Sequence, residues 1–443
     1  MINTCYQKLA HYAVSWTAEI NSALGNVYKF SFSLTRRHFL LAAAFDLCLI
    51  LYILALGVPN KELISPLSYS GPAVVKAAAK YEVFGFAPYW SLDRMSNVDF
   101  SVLTTLAYFG VDVNSNGGLD RESVGYRTFV GRDATDLFDK AHSHGTKVVL
   151  TLTQMNNRDI ENFLYGVDAQ NNAIDQVIAE VKDRGIDGVN VDFEYVGDPG
   201  AAYRGYFSDF VANLTERMHS EVPGSKVTVS VYASAVRDSK LYDIKKLGTS
   251  TDGIFMMAYD FATYSAKNAM PTSPLFGYKE GKYWYDVSTA VDDFLTQTTP
   301  DKVILGLPWY GYDYAVRAPE VLASVNQGYY VYYGKGRKRY KRFVKLPVKV
   351  QQYGNGIGNS TELSGWDEAG QVGWKAYYSS WDQSWRMYFQ EDVRSLGLKY
   401  DFAKDKNLAG VGVWALGFDN ETRDMWELLS EKFSAKDVAQ KGI

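Results

Sequence analysis

From Tyr81 onward, apolar runs of strand length alternate with amphipathic stretches of helix length. The runs are Val83–Pro88, Thr104–Phe109, Thr146–Thr153, Gly188–Glu194, Lys226–Tyr232, Asp252–Tyr259, Lys302–Pro308 and Ala409–Trp414. Between most of them lie segments of helical spacing, such as Ala134–His144, Ala173–Arg184, Tyr203–Glu221 and Ser288–Thr296, each followed by Gly or Pro before the next strand. Strands that read as near-continuous apolar runs belong to a parallel sheet covered on both faces. Repeated strand–helix alternation of this kind predicts an α/β fold, a (β/α)8 barrel over residues 81–430. The competing architecture is a doubly wound open sheet, which normally has a Gly-rich phosphate loop after its first strand. Here that strand runs into Ala87-Pro-Tyr-Trp90, which cannot serve as one. One stretch breaks the alternation. Residues 313–386 are rich in Tyr and Gly, with strand-like pieces at Tyr329–Tyr333, Phe343–Gln352 and Val372–Tyr378. They predict a small antiparallel insertion between the seventh and eighth strands.

The N-terminal pattern is different. Arg36-Arg37-His38 precedes an apolar run from Phe39 to Val58, interrupted only by Asp46. About 20 apolar residues suffice to cross a bilayer. A central Asp opposes insertion by ~2.5–3.5 kcal/mol, which the surrounding Leu, Ile and Ala offset. The expected organisation is a cytoplasmic tail (1–35), a transmembrane signal anchor (36–58), a linker (59–80), the extracytoplasmic barrel domain and a C-terminal tail (431–443). Ala55-Leu-Gly57 also resembles a cleavage site, in which case the domain is secreted.

Composition changes this picture little. A net charge of −4 gives no case for nucleic acid as a partner. Cys5 and Cys48 are the only cysteines, so the predicted barrel has no disulfide. The 33 Tyr and 10 Trp suit a sugar-stacking surface or a large core. His142 and His144 are two apart on a predicted helix and face different ways, so neither metal nor cofactor is expected. The basic run Lys335–Arg342 reads as a solvated hairpin tip, and Gly354–Gly358 as turn chemistry.

Candidate chemistry lies at the strand ends. In the fourth strand, Asp187-Gly-Val-Asn190-Val-Asp192-Phe-Glu194, alternation places Asn190, Asp192 and Glu194 on one face and Val189, Val191 and Phe193 on the other. Burying two carboxylates on one face costs several kcal/mol unless partners compensate. It also splits their protonation states, as general acid/base catalysis requires. The sixth strand ends in Met257-Ala-Tyr259-Asp260, the seventh runs into Trp309-Tyr310, and the eighth ends at Trp414. In a barrel these ends share one rim.

Together these segments resemble glycoside hydrolase family 18. The fourth strand is similar to the D-G-x-x-x-D-x-E signature, and Met257-Ala-Tyr259-Asp260 to the sixth-strand M-x-Y-D. Gly306-Leu-Pro308-Trp-Tyr310-Gly311 and Gly410-Val-Gly-Val-Trp414 resemble the family's seventh and eighth strands. The resemblance spans about Glu82 to Leu429, and it implies a small α+β insertion between strands 7 and 8, where many members carry one. It implies retaining hydrolysis of β-1,4-linked N-acetylglucosamine polymers, with the substrate's own acetamido group as nucleophile. Glu194 would be the acid/base, Asp192 would hold the acetamido N–H, and Tyr259 would bond the same group. Trp414 would form the floor and Asp260 would contact the sugar. Met257, Asn190 and Tyr310 are further binding candidates, and Tyr89 and Trp90 are candidates for flanking subsites. Two departures stand out: Asn190 where most chitinases have a third Asp, and Thr151-Leu-Thr-Gln154 in place of a small-residue S-x-G-G. Both resemble the bacterial spore-cortex and cell-wall N-acetylglucosaminidases. The expected partner is chitin or peptidoglycan. A non-catalytic chitin- or peptidoglycan-binding relative is the alternative, although such relatives usually lack the acid that Glu194 supplies.

Overall fold

The computed structural model describes residues 79–334, 339–353 and 363–434. The expected tail, anchor and linker up to residue 78, the first residues of the basic run (335–338), the Gly354–Gly358 turn and residues 435–443 lie outside them. Among the described residues, no helix is long and apolar enough to cross a membrane.

All eight predicted strands form, and they close into one parallel barrel. They are β1 (Glu82–Pro88), β2 (Thr105–Asp112), β3 (Lys147–Gln154), β4 (Gly188–Phe193), β5 (Lys226–Tyr232), β6 (Gly253–Met257), β7 (Val303–Pro308) and, after the insertion, β15 (Gly410–Trp414). Closure is made by β15, which pairs with β7 through Gly410↔Ile304 and with β1 through Glu82↔Gly410. The crossovers are α1 (Val124–Phe129) and α2 (Arg132–Ser143), α3 (Asn157–Tyr165) and α4 (Val167–Arg184), α5 (Ala201–Glu221), α6 (Ile244–Ser250) and α7 (Val287–Phe294). Then α8 (Val393–Asp405) precedes β15, and α9 (Asp424–Phe433) follows it, running past the expected domain end at 430. Helix starts follow the sequence: the Asn156, Asp243 and Asp286 side chains each accept a first-turn backbone N–H. The first crossover is only a 3-10 turn, Tyr89–Arg94, which keeps Trp90 close to the rim.

Alternation along each strand divides the core in two. Outward residues such as Val189, Val191 and Phe193 pack on the helices, with Phe193 against Phe163, Phe207 and Phe210. Inward residues Phe84, Phe86, Ala107, Val149, Phe255, Met257 and Ile304 fill the lumen. The Phe255 ring lies flush against Gly306 and Gly412, where an added Cβ would come within 2.3 and 2.1 Å of it. The N-terminal mouth is bridged by Lys226 Nζ, which donates to Glu82 at 2.5 Å; Thr104 Oγ1 donates to the same carboxylate at 2.7 Å. The lumen is therefore filled beneath the rim that carries the candidate carboxylates.

The insertion is antiparallel, as its residues predict, but is not the α+β element that the resemblance implies. Between β7 and α8 the described elements are strands only, from β8 (Tyr310–Val316) to β14 (Ser384–Gln390), so it is a β insertion wider than 313–386. A five-stranded antiparallel sheet runs in the order β11 (Lys349–Gln352), β8, β14, β13 (Val372–Ser379), β12 (Leu363–Asp367). Beside it, β9 (Gly328–Tyr333) and β10 (Tyr340–Lys345) form a hairpin. The predicted strand Phe343–Gln352 is two strands, broken at Leu346-Pro347-Val348, because Pro has no N–H for a ladder. The sheet is pinned by a buried Arg386–Asp313 pair at 2.8 Å.

We expect Gly412→Ala to destabilise the fold by about 1–3 kcal/mol through the clash with Phe255, measured as a lower urea midpoint. Gly205→Ala, whose Cβ meets open space, should leave the midpoint equal or higher.

Candidate active site

The strand β4 alternation delivers the expected ladder into the lumen. Asp192 is 3 % exposed and Asn190 fully buried, while Glu194, one residue beyond the strand, is partly accessible. Burial raises the Asp192 pKa well above the carboxylate range, and the adjacent Glu194 charge adds to the rise. Asp192 Oδ1 is buried with no hydrogen-bond partner among the described residues. Glu194 is also raised, first by burial and then by the Asp260 charge. A hydrogen bond from Tyr232 and the Lys240 charge oppose that rise.

Asn190 takes a different place from that expected of a sugar contact. Its Nδ2 donates to Ser230 Oγ at 3.0 Å, and its Oδ1 accepts from Thr228 Oγ1 at 2.9 Å. With no exposed surface it ties β4 to β5 beneath Asp192.

Tyr259 follows the end of β6. Burial, then the charges of Asp192 and Glu194, hold its phenol pKa up, so it faces them as a neutral donor. Asp260 adopts φ 57° and turns its carboxylate back toward the insertion. Asp260 Oδ1 accepts from Tyr310 Oη at 2.6 Å, Tyr312 Oη at 2.9 Å and Thr272 Oγ1 at 3.2 Å. Burial raises its pKa against these donors. Tyr310 is therefore brought to the site, as a holder of Asp260. Beyond Asp260 a cavity of about 420 Å³ opens, lined in part by Met270, Lys282 and Trp284.

Trp414 lies across the barrel from β4, with its ring 4.7 Å from Phe109, 5.4 Å from Phe86 and 6.4 Å from Trp90. Trp90 is half exposed and extends this aromatic surface. Tyr89 stands behind it, its ring 4.8 Å from that of Trp90, and packs toward Gly125. Met257 belongs to the lumen packing below. The two histidines go to separate structural partners: His142 Nε2 lies 2.8 Å from Asp187, and His144 Nδ1 2.9 Å from the Lys140 carbonyl.

Sequence reasoning missed Tyr232, Lys240, Thr272 and Tyr312. Tyr232 did leave a signal. Strand β5 alternates Thr228, Ser230, Tyr232 against Val227, Val229, Val231, and the register Asn190↔Thr228 sets Tyr232 beside Glu194. Lys240 sits in the loop beyond, its ammonium 4.1 Å from the Tyr232 ring centre.

A carboxyl held above the usual carboxylate range, beside a second carboxylate and opposite an aromatic floor, is suited to cleaving a glycosidic bond, and this protein is a glycosidase. The sequence matches Glycosyl hydrolases family 18 over residues 82–419, and the chain belongs to that family. It is 27 % identical over 324 residues to di-N-acetylchitobiase of Rattus norvegicus, covering 68 % of this chain and 80 % of that protein. It is 21 % identical over 340 residues to the cortical fragment-lytic enzyme of Bacillus subtilis (strain 168), covering 75 % and 68 %. Among solved structures, the Group IV chitinase of Ostrinia furnacalis shares the fold with a TM-score of 0.65 at 19 % identity, over 82 % of this chain and all of that one. The spore cortex-lytic enzyme of Bacillus cereus does so with 0.59 at 18 %, over 80 % and 74 %.

Removing the Tyr232 hydroxyl takes a donor from ionised Glu194 and so raises that carboxyl's pKa further. Tyr232→Phe should therefore shift the basic limb of the pH–kcat/KM profile upward. An unchanged limb would mean the hydroxyl does not tune Glu194.

Proposed function

We propose that the protein hydrolyses β-1,4 linkages in polymers containing N-acetylglucosamine, chitin or peptidoglycan, with retention and with the substrate's acetamido group as nucleophile. The observation that carries this reading is Asp192 Oδ1, an acceptor buried beside Glu194 and left without a donor among the described residues. Leaving such a group unmatched costs about 1–3 kcal/mol. An acetamido N–H from a bound sugar supplies the missing donor. With its N–H held there, the acetamido carbonyl oxygen is turned toward the anomeric carbon, and Asp192 stabilises the oxazolinium charge that develops.

Glu194, whose pKa its surroundings raise, gives a proton to the leaving oxygen. The resulting carboxylate then takes a proton from the water that opens the oxazolinium ring. Tyr259, kept neutral, donates to the acetamido carbonyl oxygen. Trp414 carries the apolar face of the reacting sugar, and Asp260 contacts the sugar from the position that Tyr310 and Tyr312 fix. The relatives named for chitobiose and for cortical fragments support a substrate of this class. Export on a membrane anchor is part of the same proposal and rests on the sequence alone, on Arg36-Arg37 and the apolar run that follows.

Glu194→Gln should lower kcat on a chromogenic chitobioside by ~10²–10⁴-fold, while chitooligosaccharide binding by calorimetry persists. Equal release by both proteins would remove Glu194 as the acid, and none by either with binding intact would replace the enzyme with a sugar-binding protein. Asp192→Asn keeps the shape but weakens stabilisation of the oxazolinium. It should lower kcat more than it changes KM, and a pure KM effect would remove Asp192 from the chemical step.

A further inference from the structure

The loop between β5 and α6 carries two cations, Arg237 and Lys240, and neither has a carboxylate within ion-pair distance among the described residues. Both lie over aromatic rings. Arg237 is 5.1 Å from the Tyr278 ring centre, and Lys240 is 4.1 Å from that of Tyr232. An aromatic face positions a cation without neutralising it, so the charge stays available to an anion.

The loop is also built onto the catalytic strand. Tyr242 is 1 % exposed and donates from Oη to the carbonyl of Phe193, between the two catalytic carboxylates, at 2.8 Å. The Lys240 backbone is left-handed at φ 44°, and its carbonyl accepts from Arg204, which Asp198 holds at 2.7 Å. An otherwise acidic rim of Asp192, Glu194 and Asp260 thus has a fixed, unneutralised ammonium next to its acid.

Barrel order gives that ammonium a direction. Trp90, Phe109 and Trp414 come from the β1, β2 and β15 side, while Glu194, Tyr232 and Lys240 stand on the opposite wall, on β4 and β5. A sugar chain that stacks on the aromatic side and reaches its scissile oxygen at Glu194 continues toward Lys240.

We propose that Lys240 binds a carboxylate on the sugar immediately beyond the cleaved bond. This makes the substrate a glycan in which N-acetylglucosamine alternates with a sugar bearing a free lactyl carboxylate, as in peptidoglycan strands stripped of peptide, and not chitin. The inference rests on the glycosidase reading of Glu194. It also places the enzyme after an amide hydrolysis, because a lactyl group still joined to peptide carries no charge at that position.

The test compares kcat/KM on stripped peptidoglycan strands, on the same strands with their carboxylates converted to methylamides, and on chitotetraose. One charged hydrogen bond predicts a preference for the free carboxylate of roughly tenfold or more, lost mainly through KM in Lys240→Met and retained in Lys240→Arg. The wild-type preference should also weaken with added salt, a readout that needs no variant. A wild-type ratio near one, or a Lys240→Met protein that keeps the preference, overturns the proposal. A wild-type enzyme inactive on all three glycans overturns the glycosidase reading itself.

Discussion

A closed parallel barrel has one lumen, and whatever faces into it loses most of its water. Strand β4 puts two carboxylates there, and that single constraint organises the site. Asp192 and Glu194 cannot both ionise freely in such surroundings. Their shared burial holds both carboxyls above their usual range, and the rest of the rim is arranged around that pair. Tyr232 and Lys240 draw Glu194 back toward ionisation, while Asp260 resists. The acid is thus balanced among neighbours from β4, β5 and β6, which explains why no one strand contains the site.

Holding the carboxylates in place requires a rigid lumen beneath them. Phe255 fills the space that Gly306 and Gly412 leave, and the Glu82–Lys226 bridge spans the far mouth. Asn190, bonded to both Thr228 and Ser230, fixes β4 against β5 one layer below Asp192. Substituting an amide for a third acid removes one charge from the stack, so Asp192 feels Glu194 as its one close carboxylate on that strand.

Much of this was legible in the sequence. The eight strands stand out because barrel strands are covered on both faces and read as apolar runs ended by Gly, Pro or polar residues. The ladder and the rim aromatics were legible because alternation and strand ends assign their faces. What could not be read was pairing across distance. Tyr232 beside Glu194 needs the β4–β5 register, and the tyrosines that hold Asp260 come from 50 and 52 residues further along the chain. The insertion was legible as antiparallel, but its strands were miscounted because Tyr-rich strands exposed on one face lack a clear period, and Pro347 splits one predicted strand into two.

The insertion begins at Tyr310, two residues after β7 ends, with only Trp309 between them. Tyr310 and Tyr312 therefore belong at once to its central sheet and to the coordination of Asp260. A sheet attached this way is not an interchangeable module. Exchanging it between relatives by domain grafting would carry a piece of the catalytic rim with it, so divergence in the outer sheet and divergence at the sugar contact are inherited together.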